Sequence, residues 1–185
     1  MQNRRFSFFV LLGLVAAALV FLKMPFSRAA DAPGGPIYAQ LSSPDSQMPT
    51  DGPLIVKMTS NDALTGLVHS TTDNTGEIKV PTAGAYFMVA AVQVGKDSGD
   101  AGDYVDVWIK QDGKDVDNSG CRQVIHDPKF TTVMVCQGVA ECKAGDTFNV
   151  AISASSPGKG IGIKVIKPAN EPLIPSIIFS MYKIN

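Results

Sequence analysis

The chain has little with which to perform catalysis. Only two histidines, His69 and His126, occur among 185 residues, and neither sits in a local signature that combines a nucleophile, a base and an orienting group. His126 heads His126-Asp127-Pro128-Lys129, a turn sequence with Pro after Asp, and His69 alternates within Thr65–Ser70 as a strand-surface residue. An enzyme is not expected, and a hydrolase with a cryptic site is the third-ranked reading. Net charge is −1 with no Lys/Arg cluster beyond short pairs, so the electrostatic footprint of a nucleic-acid binder is missing. No Asn-X-Ser/Thr sequon occurs, which gives no support to a glycosylated ectodomain. Gly158-Lys159-Gly160-Ile161-Gly162 runs on into Ile163-Lys164-Val165 as strand, whereas a phosphate cradle must pass into a helix.

The first thirty residues differ in character from the rest. Arg4 and Arg5 precede an uncharged run from Phe6 to Leu22, followed by Lys23, Pro25 and Ser27-Arg28-Ala29-Ala30. This order predicts a secretory signal over 1–29, with Ser27 and Ala29 suited to a cleavage site before Ala30. An uncleaved anchor is the alternative, since the apolar run lies at the short edge of what spans a bilayer. Either way the remainder is expected to be secreted or extracytoplasmic, with membrane contact only through an uncleaved segment. Residues 30–53, rich in Pro, Ser, Gly and Asp, read as a linker with one lead-in strand at Ile37–Leu41. The main domain is assigned to 54–185, with a start near 36 as the alternative.

Beyond that point apolar runs alternate with turn clusters: 54–59, 65–70, 76–80, 84–94, 104–110, 121–125, 131–141, 147–154, 161–166 and 176–184. No helical period is sustained, so the pattern predicts an all-β, two-sheet sandwich. In 104–110, Val105, Val107 and Ile109 alternate with Tyr104, Asp106, Trp108 and Lys110, as in a half-buried strand. Residues 84–94 differ, with Tyr86, Met88, Ala90 and Val92 on one face and Phe87, Val89 and Ala91 on the other. Runs 131–141 and 177–184 are also apolar on both faces. A two-layer sandwich has one interior, so the second apolar face is expected to meet another copy of the chain.

Between 76 and 88, Pro81 and Gly84 mark a corner between strands, since Pro cannot donate to a ladder and Gly tolerates positive φ. This stretch resembles the signature of the complement C1q globular-head family, a trimeric jelly roll related to tumour necrosis factor. Val107-Trp108-Ile109-Lys110-Gln111-Asp112-Gly113 is similar to the family's strand and turn. Cys142 to Val150 is similar to its Leu-x-x-Gly-Asp-x-Val turn, and Phe179-Ser180-Met181-Tyr182 to its terminal Phe-Ser-Gly-Phe. The chain departs from the pattern at Ile78, Met88 and Met181, and it has no collagen-like stalk. The resemblance implies a C1q-like jelly roll and a homotrimer around an inner sheet formed by 84–94, 131–141 and 177–184. It names no partner, which leaves a protein, glycan or surface ligand. The candidate trimer-interface and core residues are Tyr86, Phe87, Met88, Val133, Val135, Phe179 and Tyr182.

Two side-chain groups remain. Asp97, Asp100 and Asp103 lie in a Gly-containing loop and are the candidate ligands for calcium, although the spacing fails the EF-hand pattern; no other cofactor is expected. For the three cysteines, a chain folded about Pro128 and Lys129 brings Cys121 opposite Cys136, the expected disulfide, whereas Cys136 and Cys142 lie about 20 Å apart on one strand. Cys142, at the family's inward Leu position, is expected to be a buried free thiol. The function expected is a secreted, non-catalytic recognition or structural module that binds through its outer loops. A monomeric lectin-like β-sandwich is the runner-up, with Tyr104 and Trp108 as its stacking candidates.

Overall fold

The computed structural model describes residues 34–185, of which Pro36–Asn185 forms one compact unit; the expected signal or anchor at 1–29 lies outside the described residues. Thirteen strands follow in order: β1 (Tyr38–Ser43), β2 (Leu54–Ile55), β3 (Ser60–Thr65), β4 (Val68–His69), β5 (Ile78–Lys79), β6 (Gly84–Lys96), β7 (Tyr104–Gln111), β8 (Lys114–Asp115), β9 (Cys121–Val124), β10 (Thr132–Cys142), β11 (Thr147–Ala154), β12 (Ile161–Ile163) and β13 (Ile177–Lys183). No helix among the described residues is long and apolar enough to cross a membrane. The expected all-β class holds, with two antiparallel sheets in a sandwich-like arrangement.

One sheet runs β10-β6-β13-β1-β3, with β12 also paired to β6; the other runs β4-β5-β11-β7-β8, with β2 on β11 and β9 on β7. The thirteen residues of β6 pair with β10 from Gly84 to Val94 on one edge. On the other edge β13 takes Tyr86 to Val92, and β12 takes Val94 to Lys96. At the corner before β6, Gly84 has φ 146°. A Cβ there would run into Asn185 O and the Lys183 side chain, so the expected Gly corner also lets the C-terminus pack closely.

Period-two patterning fills the interior. Tyr86, Met88, Ala90 and Val92 from β6 and Phe179 and Met181 from β13 are fully buried. They join Val105, Val107 and Ile109 of β7 and Phe148, Val150 and Ile152 of β11 in one core cluster. The Tyr86 hydroxyl donates to Thr82 O at 2.8 Å, so its one polar atom is satisfied. Burial, and then nearby Cys142, raise its phenol above the ordinary range.

Several local expectations change. Within 54–59 only Leu54–Ile55 is strand, yet Val56 and Met58 are fully buried and donate their amides to Val150 O and Thr75 O, both at 2.8 Å. Strand β3 falls instead on Ser60–Thr65, where exposed Asn61 and Asp62 leave no apolar alternation to read; β1 is its ladder partner. The lead-in strand expected at Ile37–Leu41 is β1, shifted to Tyr38–Ser43, and it lies inside the sheet between β13 and β3. Asp112 (φ 50°) and Gly113 (φ 74°) form the two-residue turn from β7 to β8, the left-handed pair that such hairpins require.

Replacing Phe179 with Ala should cost about 3–5 kcal/mol, because it opens a cavity where both sheets meet. Urea titration of the variant checks this, and a loss near zero would show that Phe179 is not part of the packed interior.

Candidate functional site

Ladder register arranges the outer face of the six-stranded sheet in rows. Val139, Phe87 and Tyr182 stand side by side across β10, β6 and β13, followed by Gln137, Val89 and Ser180, then Val135, Ala91 and Ile178. Val133 opposite Gln93 ends the array. No charged residue stands in these rows. Val133, Val135 and Val139 are 58%, 49% and 59% exposed, and Tyr182 is 46% exposed. Apart from Gln93, Gln137 and Ser180 these rows are apolar, and exposed apolar side chains gathered on one face are the kind of surface that soluble domains use for interaction.

The residues assigned jointly to core and interface therefore separate. Tyr86, Met88 and Phe179 point into the sandwich and are fully buried, while Phe87, Val133, Val135 and Tyr182 lie on the outer face. Parity dictates this split, because neighbouring strand residues face opposite sides. Val139 was missed among the candidates. Its odd-number parity with Val133 and Val135 was the available signal, interrupted by Gln137.

The acidic loop after β6 does not gather its carboxylates. Asp97 pairs with Lys164 Nζ at 2.5 Å near the sheet. Lys96, fully buried, donates its Nζ to Asp100 O at 2.5 Å. Asp103 is buried and accepts from Ser155 and Ser156 hydroxyls at 2.8 and 2.9 Å and from Asp100 N at 2.6 Å. A Cβ at Gly99 (φ 110°) would collide with Asp103 Oδ2, so glycine lets the loop close over this carboxylate. Among the described residues no group of three or more His, Cys, Asp or Glu side chains is placed to hold a metal ion. Of the three residues expected to hold calcium, Asp97 is in an ion pair, Asp103 is held by two serine hydroxyls and an amide, and Asp100 contributes its backbone N and O.

The expected Cys121–Cys136 disulfide is also corrected, since all three thiols are free. Strand β9 does not form a hairpin with β10; it pairs with β7 in one sheet while β10 pairs with β6 in the other. The chain after β9 crosses between sheets, which the hairpin argument had not allowed. Cys121 Sγ donates to Val135 O at 3.3 Å and Cys136 Sγ to Ser119 O at 2.7 Å. Burial, and then neighbouring Cys121, push the Cys136 thiol up to about 12. Burial, followed by Asp146, Glu141 and Asp112, pushes Cys142 up to about 11. Cys142 is buried, as expected.

The histidines lie apart from these groups. His69 is buried, not on the surface, with its Nδ1 2.6 Å from Asn61 Oδ1 and its Nε2 3.1 Å from Thr75 O. His126 is exposed, with Nδ1 3.1 Å from Ala101 O.

Two predictions follow from these environments. At neutral pH a thiol reagent should label Cys121 quickly and reach Cys136 and Cys142 only after denaturation, because the thiolate is the nucleophile and both buried thiols hold their protons. Three equal labelling rates in the native protein would contradict this. Second, the Ser155 and Ser156 hydroxyls hold the Asp103 carboxyl below its ordinary 3.8. Its stabilisation is complete above that ordinary value and is lost as pH falls through the lower folded value. Melting temperature measured from neutral pH to about pH 2 should fall more steeply in the wild type than in Asp103→Asn, which has no carboxylate to protonate at that position. Parallel curves would remove Asp103 from the acid response.

No family model matches the chain, and no curated protein matches it.

Proposed function

We propose that the chain is a secreted or extracytoplasmic, non-catalytic recognition or structural module of C1q-like jelly-roll form, assembling as a homotrimer through the outer face of its six-stranded sheet. The observation that supports this reading most is the uncharged, apolar array on β10, β6 and β13. A second copy of the same chain meets that array with equally apolar surface, removing it from water. The number three comes from the C1q resemblance. Those three strands are neighbours in one sheet, which is compatible with their forming the family's inner layer.

Topology supports the jelly-roll form. The chain passes from one sheet to the other between β5 and β6, returns between β6 and β7, and crosses again on either side of β10. First and last strands, β1 and β13, pair side by side. Such crossing between two sheets is how double-sheet jelly rolls are built. An assembly through one outer face leaves the loops free for a protein or surface ligand, and loops on a rigid sandwich vary without disturbing its core.

Sedimentation of residues 36–185 at micromolar concentration should give three times the chain mass. Val135→Asp and Val139→Asp, both on exposed positions, should leave the circular dichroism spectrum unchanged and weaken assembly by at least about a hundredfold, because each buries an unpaired charge between copies. A monomeric wild type under these conditions overturns the reading.

A further inference from the structure

The outer face of the seven-stranded sheet is polar where the other sheet is apolar. A shallow, open cavity of about 600 Å3 lies there, lined by Trp108, Asp106, Asp115, Asp117, Asn118 and Arg122 among others, a surface that a flat ligand can cover. Its aromatic member is held in place. Trp108 Nε1 donates to Asp115 Oδ1 at 2.7 Å, and Lys110 Nζ donates to the same oxygen at 2.5 Å. Arg122 donates from Nε and Nη2 to the two Asp106 oxygens at 2.7 and 2.8 Å. Its guanidinium lies 3.7 Å from the centroid of the Tyr104 ring. These contacts set a wall whose side chains are already oriented before a ligand arrives.

Other groups at the rim are uncommitted. Asp117 and Asn118 are exposed on the turn that follows β8. The ion pairs among the described residues are Lys110–Asp115, Arg122–Asp106 and Lys164–Asp97, none of which uses Asp117. Asp115 Oδ1 receives both Trp108 and Lys110, leaving Oδ2 for a further donor. With Asp106 paired to Arg122 and Asp115 to Lys110, Asp117 leaves the site one net negative charge, which disfavours anions, and free carboxylate oxygens give it acceptors for a ligand's donors.

We propose that this cavity is a saccharide-binding site, with a sugar ring against the Trp108 indole and its hydroxyl or amino groups donating to Asp115, Asp117 and Asn118. A sugar ring matches both properties of the site. Its C–H face covers a flat aromatic surface, and its ring carries donors in the directions where carboxylate and amide oxygens stand free. Hydrogen bonds to charged acceptors are the stronger ones and carry the selectivity. The negative balance favours neutral and amino sugars over uronic acids. This inference rests on the reading of the chain as a recognition module and adds a ligand class and a place for it, on the sheet face rather than on the loops.

Trp108 is the sole tryptophan of the chain, so intrinsic tryptophan emission reports on this cavity alone. The full chain is titrated with short oligomers of chitosan, chitin and polygalacturonic acid, and with oligolysine as a basic-peptide control. Chitosan and chitin oligomers should give saturable emission shifts, with chitosan the tighter, and oligogalacturonate should give none. Asp117→Ala and Asn118→Ala retain Trp108 and replace exposed side chains, so folding is preserved. Each should weaken binding about tenfold, as expected for the loss of one strong hydrogen bond. The inference is overturned if neither chitosan nor chitin oligomers shift the emission at millimolar concentration, if both variants bind as the wild type does, or if oligolysine binds more tightly than chitosan. Sedimentation of the same samples separates the two readings: an intact trimer that binds no sugar removes this site alone, and a monomer that binds sugar removes the trimer alone.

Discussion

The two-sided character of β6 is the constraint on which the rest of the structure depends. Its even-numbered residues Tyr86, Met88, Ala90 and Val92 close the sandwich interior, while its odd-numbered residues Phe87, Val89 and Ala91 form the middle column of the outer apolar rows. Both edges are occupied by ladder partners over nearly its whole length. A strand so placed cannot slip by one residue, because the slip would exchange an apolar face matched to the core for one of different sizes. Register in β6 therefore sets the register of β10 and β13, and with it the composition of the sheet's outer face.

Polar groups are used at the margins to hold this arrangement. The loop from β6 to β7 carries the chain from one sheet to the other, and buried Lys96 and Asp103 stand at its two ends. Burying either charge alone would be costly. Lys96 is satisfied by Asp100 O and Asp103 by two serine hydroxyls and an amide, so the crossing is tied at both ends. The loop works as a clasp, because Asp97 and Asp103 face different partners and Asp100 takes part through its backbone N and O.

Much of the fold was legible in the residue pattern, and the reasons for success and failure are physical. Alternation exposed β7 and β11, and doubled apolar faces singled out β6, β10 and β13, because burial on two sides requires apolar residues at both parities. Polar β3 was invisible, since it lies beside β1 and keeps Asn61 and Asp62 in solvent. The cysteine pairing failed for a different reason. Residues 125–131 contain good turn chemistry, yet turn chemistry does not say whether the chain returns to the same sheet or crosses to the other. Site residues were legible by element but not by direction: Tyr86 and Phe179 joined the core, and Val139 belonged with the exposed rows.

The two outer faces carry opposite chemistry, and this division follows from which strands sit at the centre of each sheet. On one side, β6 and its neighbours present valine, phenylalanine, isoleucine and tyrosine, a surface whose gain on burial is large and non-directional. On the other, β7 presents Tyr104, Asp106, Trp108 and Lys110, each engaged by a side chain of β8 or β9. Such a surface gains little from being covered by an apolar partner, because its ion pairs would lose water without acquiring better partners. It is suited instead to a ligand that supplies hydrogen bonds in return. The proposed assembly through the apolar sheet would thus leave the other open, since an association driven by the apolar face has no reason to consume the polar one.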